Sequence, residues 1–289
     1  MILFGPSGNS EAFFASGQKS SEQSAVWVKN MGLDAFEYSF GRGILMGESK
    51  ALSLNQAFKE NNVAISVHAP YYINFANPDD QKIQASIDYV IKSAQMVKLM
   101  GGTRVIFHPA TQGKDKREVA FERTKENFKK LTAVIYELGM QDMTYCPETM
   151  GKLGQIGTVE ELTELCLTDK IFVPTVDFGH INAREQGSLK SVNDYQSRLE
   201  YMIEKLGYER MKHFHVHFSK IQYTAKGELR HLNFDDTVYG PEFEPLAQAL
   251  INLKLEPVII CESAGNQDAD ALYMKNTYFS MLNKAKNIL

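Results

Sequence analysis

A short β-rich run alternates with an amphipathic helical segment eight times along the 289 residues, and this alternation restricts the fold more than any other feature of the sequence. Parallel neighbouring strands require crossover connections of helix length, so the pattern predicts an α/β protein with a parallel sheet. The β-rich runs are Ile2–Gly5, Ala35–Tyr38, Ala64–His68, Arg104–His108, Met143–Glu148, Phe172–Asp177, His213–His217 and Pro257–Glu262. The helical segments are Ser21–Met31, Ala51–Asn61, Gln81–Leu99, Arg117–Leu138, Val159–Leu165, Val192–Lys205, Phe243–Leu253 and Ala269–Leu282.

The eight units predict closure into a single (β/α)₈ TIM barrel, for which a chain of this length is ordinary. An open, doubly wound sheet is the alternative fold. It is disfavoured because no Gly-rich dinucleotide loop follows the first run, Ile2–Gly5. No linker or low-complexity stretch interrupts the pattern, so we expect residues 1–289 to form one domain.

Composition argues against membrane and disulfide-rich secreted proteins. The mean hydropathy is −0.29, and no apolar run approaches the roughly 18 residues of a membrane span. The start of the chain, Met1–Pro6, shows no signal-peptide pattern. Three cysteines, Cys146, Cys166 and Cys261, lie far apart without a CxxC pair, so we expect no disulfides and a cytoplasmic location. Cys146 and Cys261 stand in strand-like runs and are predicted to be small buried hydrophobic residues.

The net charge of −4 argues against a cationic surface that binds nucleic acid without specificity. Bound metal ions would add positive charge that a residue count does not include. The charge balance therefore leaves a metal-dependent nucleic-acid enzyme open.

Metal-binding side chains stand at the ends of six β-rich runs. They are His68, His108, Glu148, Asp177, the histidines of the run His213–His217, and Glu262. In a barrel of this type the carboxyl ends of all strands meet at one mouth. Several carboxylates gathered there would repel one another, and shared cations would remove that conflict. A mixture of His, Asp and Glu without Cys suits catalytic zinc, or manganese or iron, and argues against a closed structural zinc site.

At these positions the chain resembles the endonuclease IV family of apurinic/apyrimidinic endonucleases, in particular its archaeal-like branch. The resemblance covers nearly the whole chain and rests on seven pieces that occur in order. They are His68-Ala69-Pro70-Tyr71-Tyr72-Ile73-Asn74, Phe107-His108-Pro109, Glu148-Thr149-Met150-Gly151-Lys152, Val176-Asp177-Phe178-Gly179-His180, His215-Val216-His217-Phe218-Ser219, Lys226-Gly227-Glu228-Leu229-Arg230-His231 and Glu262-Ser263.

The resemblance implies three zinc ions. His68 and His108 would bind the first zinc, and Glu148 would bridge it to the second. The second zinc would be completed by Asp177, His215 and Glu262, and the third would be bound by His180 and His231, with His180 placed in the loop after its strand. The family usually has Asp two residues before the histidine that matches His231, where this chain has Leu229. Glu228 would take its place if the loop bulges.

Strand periodicity places the three histidines of the run His213–His217 on one face. We expect His217 to support the metal ligands or to contact the substrate, and His213, farther from the mouth, to be a core residue.

The resemblance also implies a reaction. A zinc-activated hydroxide would cleave the phosphodiester bond 5′ to an abasic site in duplex DNA, with His108, Glu148 and Glu262 as the central catalytic residues. Tyr71 matches a tyrosine expected near the flipped sugar, and Tyr72 stands where the family often has an aliphatic wedge. Three further rim residues are predicted to contact phosphates, namely Asn9, Arg42 and Lys152. A monomer is expected from the resemblance.

Two other functions stay open. A sugar isomerase or epimerase of the xylose-isomerase-like barrel group would share the architecture and hold one or two metals, but it would not need a third-metal pair of His180 with the loop Lys226–His231. A non-catalytic DNA-binding or regulatory barrel would also keep the scaffold. It is disfavoured by the near-complete set of ligands.

Overall fold

Eight parallel strands close into a barrel in the computed structural model, which describes residues 1–287. The barrel strands are β1 (Leu3–Pro6), β2 (Ala35–Ser39), β3 (Ala64–His68), β4 (Arg104–Phe107), β6 (Thr144–Pro147), β8 (Thr175–Asp177), β9 (His215–Phe218) and β12 (Val258–Cys261). The predicted TIM barrel is thus confirmed, and each barrel strand overlaps one predicted β-rich run.

Two four-stranded parallel sheets make up the barrel, in the orders β2-β3-β4-β6 and β8-β9-β12-β1. Isolated bridges join the sheets, from Ser7 to Glu37 on one side and from Tyr145 to Phe172 and Glu148 to Thr175 on the other. Because all strands run the same way, their carboxyl ends lie at a common mouth.

Helices cover the outside of the barrel. They are α1 (Glu11–Ala15), α2 (Ser21–Asn30), α3 (Glu48–Glu60), α4 (Asp80–Leu99), α5 (Arg117–Glu137), α6 (Val159–Cys166), α7 (Phe178–Arg184), α8 (Val192–Leu206), α9 (Tyr208–Lys212), α10 (Phe243–Leu253) and α11 (Gln267–Lys286). Helix α4 shows why these segments fold as they do. Its buried residues Ile83, Ile87, Val90 and Ala94 recur every three or four positions and so share one face. The helix ends before Gly101, whose φ of 82° suits a glycine beyond a C-cap.

Several short elements between the predicted ones lie in the loops that follow barrel strands. The two-stranded pair β5 (Ala110–Thr111) and β7 (Gln155–Ile156) and the hairpin of β10 (Ile221–Thr224) with β11 (Gly227–His231) are both antiparallel. Helix α7 replaces the loop predicted after β8, so His180 is helical, and Asp177 caps that helix by accepting a hydrogen bond from His180 N at 2.8 Å.

One hydrophobic core includes side chains from Ile2 to Tyr278 and fills the space between strands and helices. The three cysteines are free and buried, as predicted for Cys146 and Cys261. His213 was predicted to be a core residue, and this prediction is wrong. The residue precedes β9 at the end of the barrel away from the mouth, and it is exposed. Within residues 1–287, no helix combines the length and apolar character needed to cross a membrane. The single domain, the monomeric state and the cytoplasmic location stay predictions.

Candidate metal centre

Three adjoining groups of metal-binding side chains lie at the carboxyl mouth of the barrel. The first group is His68, His108 and Glu148; the second is Glu148, Asp177, His217 and Glu262; the third is His180, Glu228 and His231. Within each group, one ligand atom from every member lies within 4.8 Å of the others. Glu148 belongs to two groups, so the first and second groups meet at its carboxylate.

In the first group two histidine rings point at one carboxylate oxygen. His68 Nε2 lies 3.1 Å and His108 Nε2 3.3 Å from Glu148 Oε2. The other ring nitrogen of His68, Nδ1, lies 2.8 Å from the carbonyl oxygen of Ala69. Since a carbonyl can only accept, Nδ1 carries a proton, and Nε2, which contacts Glu148, is the nitrogen left to bind a metal once any proton on it is displaced.

The second group is built around His217. Its Nδ1 lies 2.9 Å from Glu148 Oε1 and 3.6 Å from Glu262 Oε2. Asp177 lies beside them, and its buried Oδ2 lies 3.2 Å from His180 Nδ1 but makes no hydrogen bond among the residues described. Burying an oxygen of a carboxylate without a partner is costly, and a cation would satisfy it. The donor set of one histidine and three carboxylates therefore fits a divalent metal.

The third group joins helix α7 to the hairpin β10–β11. His180 Nδ1 lies 2.9 Å from the carbonyl oxygen of Thr149, which leaves Nε2 free as a ligand, 3.4 Å from Glu228 Oε2. On the hairpin, His231 Nδ1 lies 2.8 Å from Ser219 Oγ. The donor atoms of this group thus come from two elements that follow neighbouring barrel strands.

A β-bulge at Leu229 brings Glu228 and His231 together. The register of the hairpin pairs Gln222 with Arg230 but Tyr223 with Glu228, so Leu229 is an extra residue without a partner. The extra residue shifts the strand alternation by one, and Glu228 then shares a side with His231 while Leu229 is 55% exposed. The bulge on which the sequence prediction for Glu228 depended is therefore present.

Two glycines allow the hairpin to approach the site. A Cβ on Gly227 would lie 2.2 Å from the carbonyl oxygen of Gly151, and one on Gly151 would lie 2.7 Å from Glu228 Cβ. Glu228 N donates to that same Gly151 oxygen at 3.1 Å. Side chains at either glycine would push Glu228 away from His180.

The ionisable groups of the centre shift one another's pKa values. Burial alone would raise the pKa of Glu148, but the positive charge of His217 and hydrogen bonds with His108 and His180 hold that pKa well below its usual range. Burial would lower the pKa of His180, yet the charge of Asp177 raises it well above the usual value. Burial raises the pKa of Asp177 to about 6. Cations that enter the centre would therefore displace protons.

The two histidines of β9 exchange the places that the sequence prediction gave them. His217 joins Glu148, Asp177 and Glu262, whereas His215 lies one layer deeper, with its Nε2 3.1 Å from Glu37 Oε2. Alternation correctly puts both on the barrel interior, but it does not tell which of them is level with the mouth. A substrate contact was one of the two roles expected for His217, but the residue is wholly buried and cannot make that contact.

A cavity of about 240 Å³ opens over the three groups. Tyr71 and Lys152, two of the predicted substrate contacts, line it together with Ser7 and Ser39. The remaining lining residues are His68, His108, His180, Glu228, His231 and Glu262.

The other predicted contacts lie away from this cavity. Tyr72 is 55% exposed and packs against Tyr71 and Tyr89, and Arg42 is exposed on the loop after β2. Asn9 Oδ1 accepts a hydrogen bond from Ser24 at 2.7 Å, so its side chain is turned towards helix α2.

Sequence reasoning missed Glu37, which forms a further buried cluster with His215 and His217 below the second group. A signal was present. Glu37 is a carboxylate inside the predicted run Ala35–Tyr38, whose other members are hydrophobic. A charged residue in such a run indicates either that the run is not a buried strand or that the charge has a partner in the interior.

Comparison with known proteins identifies the architecture. The family model described as "Xylose isomerase-like TIM barrel" matches residues 25–277. An uncharacterized protein of Methanocaldococcus jannaschii is 32% identical over 248 residues, which are 86% of this chain and 88% of that protein. A probable endonuclease 4 of Mycoplasma genitalium is 28% identical over 215 residues, 69% of this chain and 67% of that protein. The resemblance to endonuclease IV is thereby confirmed.

Solved structures show the fold alone, because their identities are low. Endonuclease IV from Thermus thermophilus matches with a TM-score of 0.67 and 16% identity, over 96% of this chain and 99% of that one. D-psicose 3-epimerase from Clostridium cellulolyticum matches with a TM-score of 0.69 and 12% identity, over 97% and 99%. Shape therefore does not separate a nuclease from a sugar epimerase.

Proposed function

The chain belongs to the xylose isomerase-like TIM barrel family, and we propose that it is a metal-dependent endonuclease that cleaves duplex DNA on the 5′ side of an abasic site. The cofactors proposed are three zinc ions, one in each group of the metal centre. The relatives named as probable endonuclease 4 support this assignment.

The observation that carries the proposal is the third group. An epimerase of this family would need only one or two metals, and the second group alone offers four donors for one. His180, Glu228 and His231 add a separate set, positioned by a hairpin bulge and a close contact between two glycines. A sugar epimerase would have no evident use for this set, whereas phosphodiester cleavage needs positive charge at both the attacking and the leaving oxygen.

Divalent cations held here would lower the pKa of water into the neutral range and offset the charge of the phosphate. The protein's own residues arrange these charges. Glu148 ties the first group to the second through its two oxygens, and Asp177 holds helix α7 so that His180 faces the cavity. Lys152 at the rim is suited to a phosphate oxygen, and Tyr71, 54% exposed, is suited to pack on a sugar ring.

The shape of the mouth supports an extended substrate. A cavity of about 320 Å³ adjoins the central one and shares Ser39 with it, and another of about 310 Å³ shares Ser7, His231 and Glu262. The two flanking cavities lie at the loops after β2 and β12, which only β1 separates in the barrel. A substrate that extends beyond the central cavity fits this arrangement better than a single sugar does.

The test is incision of a duplex oligonucleotide that carries one tetrahydrofuran abasic analogue, with metal content measured on the same preparation. We expect three zinc ions per chain and incision that stops when a chelator removes them. His68→Ala should abolish incision, while His213→Ala, an exposed histidine at the opposite end of the barrel, should leave it unchanged. Two or fewer metals, activity on a ketose and no incision would identify an epimerase instead.

A further inference from the structure

Glu37 is a carboxylate with no exposed surface inside the barrel, held by three polar neighbours. Ser66 Oγ donates to its Oε2 at 2.8 Å, and His215 Nε2 lies 3.1 Å from the same oxygen. His217 Nε2 lies 2.9 Å from Oε1 in an ion-pair contact, and neither of these two atoms makes a hydrogen bond to any of the described residues. Replacing a buried charged side chain with an apolar one of similar size often costs little stability. A carboxylate at this depth therefore indicates that its partners need the charge.

His217 lies between this carboxylate and the metal centre. Its Nε2 faces Glu37, while its Nδ1 faces Glu148 Oε1 at 2.9 Å and Glu262. An imidazole that binds a metal through one nitrogen carries a proton on the other, and a carboxylate is the strongest acceptor for that proton.

We infer that Glu37 is a positioning residue for the metal centre, which fixes the ring of His217 so that its Nδ1 lone pair points at the second group. This role rests on the proposed metal centre. Glu37 acts through His217 and does not itself contact a metal. Ser66 and His215 hold the carboxylate from β3 and β9, so its direction is set by the barrel strands and not by a mobile loop.

The contacts of Glu37 separate it from the ligands. Like Glu148, Asp177 and His217, it is fully buried and does not line the cavity over the metal centre, so burial alone does not distinguish it from a ligand. A metal bound by Glu37 itself would have to displace the contacts of the carboxylate with both histidines and would share His217 with the second group. If Glu37 only orients His217 by accepting its Nε2 proton, both histidine contacts of the carboxylate stay in place and His217 binds a single metal.

The first measurement needs no variant. In zinc-loaded protein labelled with ¹⁵N-histidine, long-range ¹H–¹⁵N correlation spectra report which ring nitrogen of His217 carries the proton. We expect the proton on Nε2 and zinc on Nδ1. Zinc on Nε2, or a fourth zinc in the interior, would overturn the role of Glu37.

The second measurement is zinc affinity, by competition with a chromophoric chelator. Glu37→Gln keeps the shape and removes the charge, and we expect it to weaken zinc at the second group by about 10- to 100-fold, the usual effect of losing a ligand's outer partner. Zinc at His180, Glu228 and His231 should be held as before. Unchanged affinity at every site would reject the proposal.

The matched control is Asp268→Asn. Asp268 is also a buried carboxylate, 2% exposed and bonded to Ser10 and Trp27, but it does not contact the metal centre. We expect this change to lower stability without altering any zinc affinity. If both variants weaken zinc equally, the effect of Glu37→Gln is structural and the positioning role is rejected.

Failure of the proposed function would look different. Zinc binding with the expected His217 proton but no incision of abasic DNA would reject the endonuclease assignment and support the role of Glu37. Absence of zinc binding in the wild-type protein would reject both.

Discussion

Asp177 shows how a single residue links the fold to the chemistry of the site. Its Oδ1 caps helix α7 through His180 N, and its buried Oδ2, beside the second group, lies 3.2 Å from His180 Nδ1 but makes no hydrogen bond among the residues described. Burial, with the nearby charges of Glu148 and Glu262, raises the pKa of Asp177 to about 6 against the opposing charge of His180. A residue that completes a helix thus also offers a buried carboxylate oxygen to a proton or a metal cation.

This raised pKa predicts a pH dependence of metal binding. Asp177 has a pKa of about 6 in the folded, metal-free protein and an ordinary value of 3.8 when unfolded. Protonation of this carboxyl therefore favours the folded state, and its contribution to stability is lost as pH rises through about 6. A metal must displace the proton, so zinc affinity should fall as pH drops below about 6. Calorimetry near pH 6 in two buffers of different ionisation enthalpy should show proton release on zinc binding. Zinc binding without proton release would contradict the assignment of Asp177 as a ligand.

At the scale of elements, the hairpin β10–β11 determines whether the third group exists. Gly227 has a φ of 90°, and a Cβ there would collide with the carbonyl oxygen of Gly151 at 2.2 Å. We expect Gly227→Ala to displace the hairpin, remove Glu228 from His180 and lower the zinc content by one ion per chain. Metal analysis measures the zinc content, and the incision assay shows whether activity falls with it.

Gly139→Ala is the control for this change. Gly139 also has a positive φ, 64°, but nothing lies within 4 Å of the added Cβ. Both variants carry the strain of a left-handed backbone, about 1–2 kcal/mol, so only the collision differs. Loss of zinc in the Gly139 variant as well would show that general destabilisation, and not the hairpin, controls the third group.

The same elements show what a sequence reveals and what it does not. Eight strand–helix units were readable because hydrophobic periodicity is local, and strand ends carry His68, His108, Glu148 and Glu262 to one mouth once the barrel is known. The exchange of His215 and His217 was not readable, because alternation gives the face of a strand but not its height in the barrel. Short elements such as α7 were missed, since their stability comes from the centre they surround.

For the whole molecule, we expect folding and metal binding to be coupled at the centre. Without cations, the mouth holds four carboxylates close to several histidines, with Glu148 and Asp177 fully buried and Glu228 and Glu262 partly buried. A ligand that binds only the folded state at 1,000 times its dissociation constant adds about 4 kcal/mol to the free energy of unfolding. We therefore expect chelation to lower Tm by roughly 10 °C for a barrel of this size.

Calorimetry with chelator, and again after zinc is restored, checks this. The shift should be reversible, and much smaller in His68→Ala, which lacks part of the first group. An identical Tm with and without chelator would show that the folded protein binds no metal tightly.

Glu148 presents Oε2 to the two histidines of the first group and Oε1 to His217 and His180. The first cation to bind would fix the rotamer of this carboxylate and so prepare it for the second. Occupancy of the two groups should then be cooperative, with each cation raising the affinity for the other by the same factor. At a limiting supply of metal, the population would consist mainly of full and empty chains, and half-loaded molecules would be scarce.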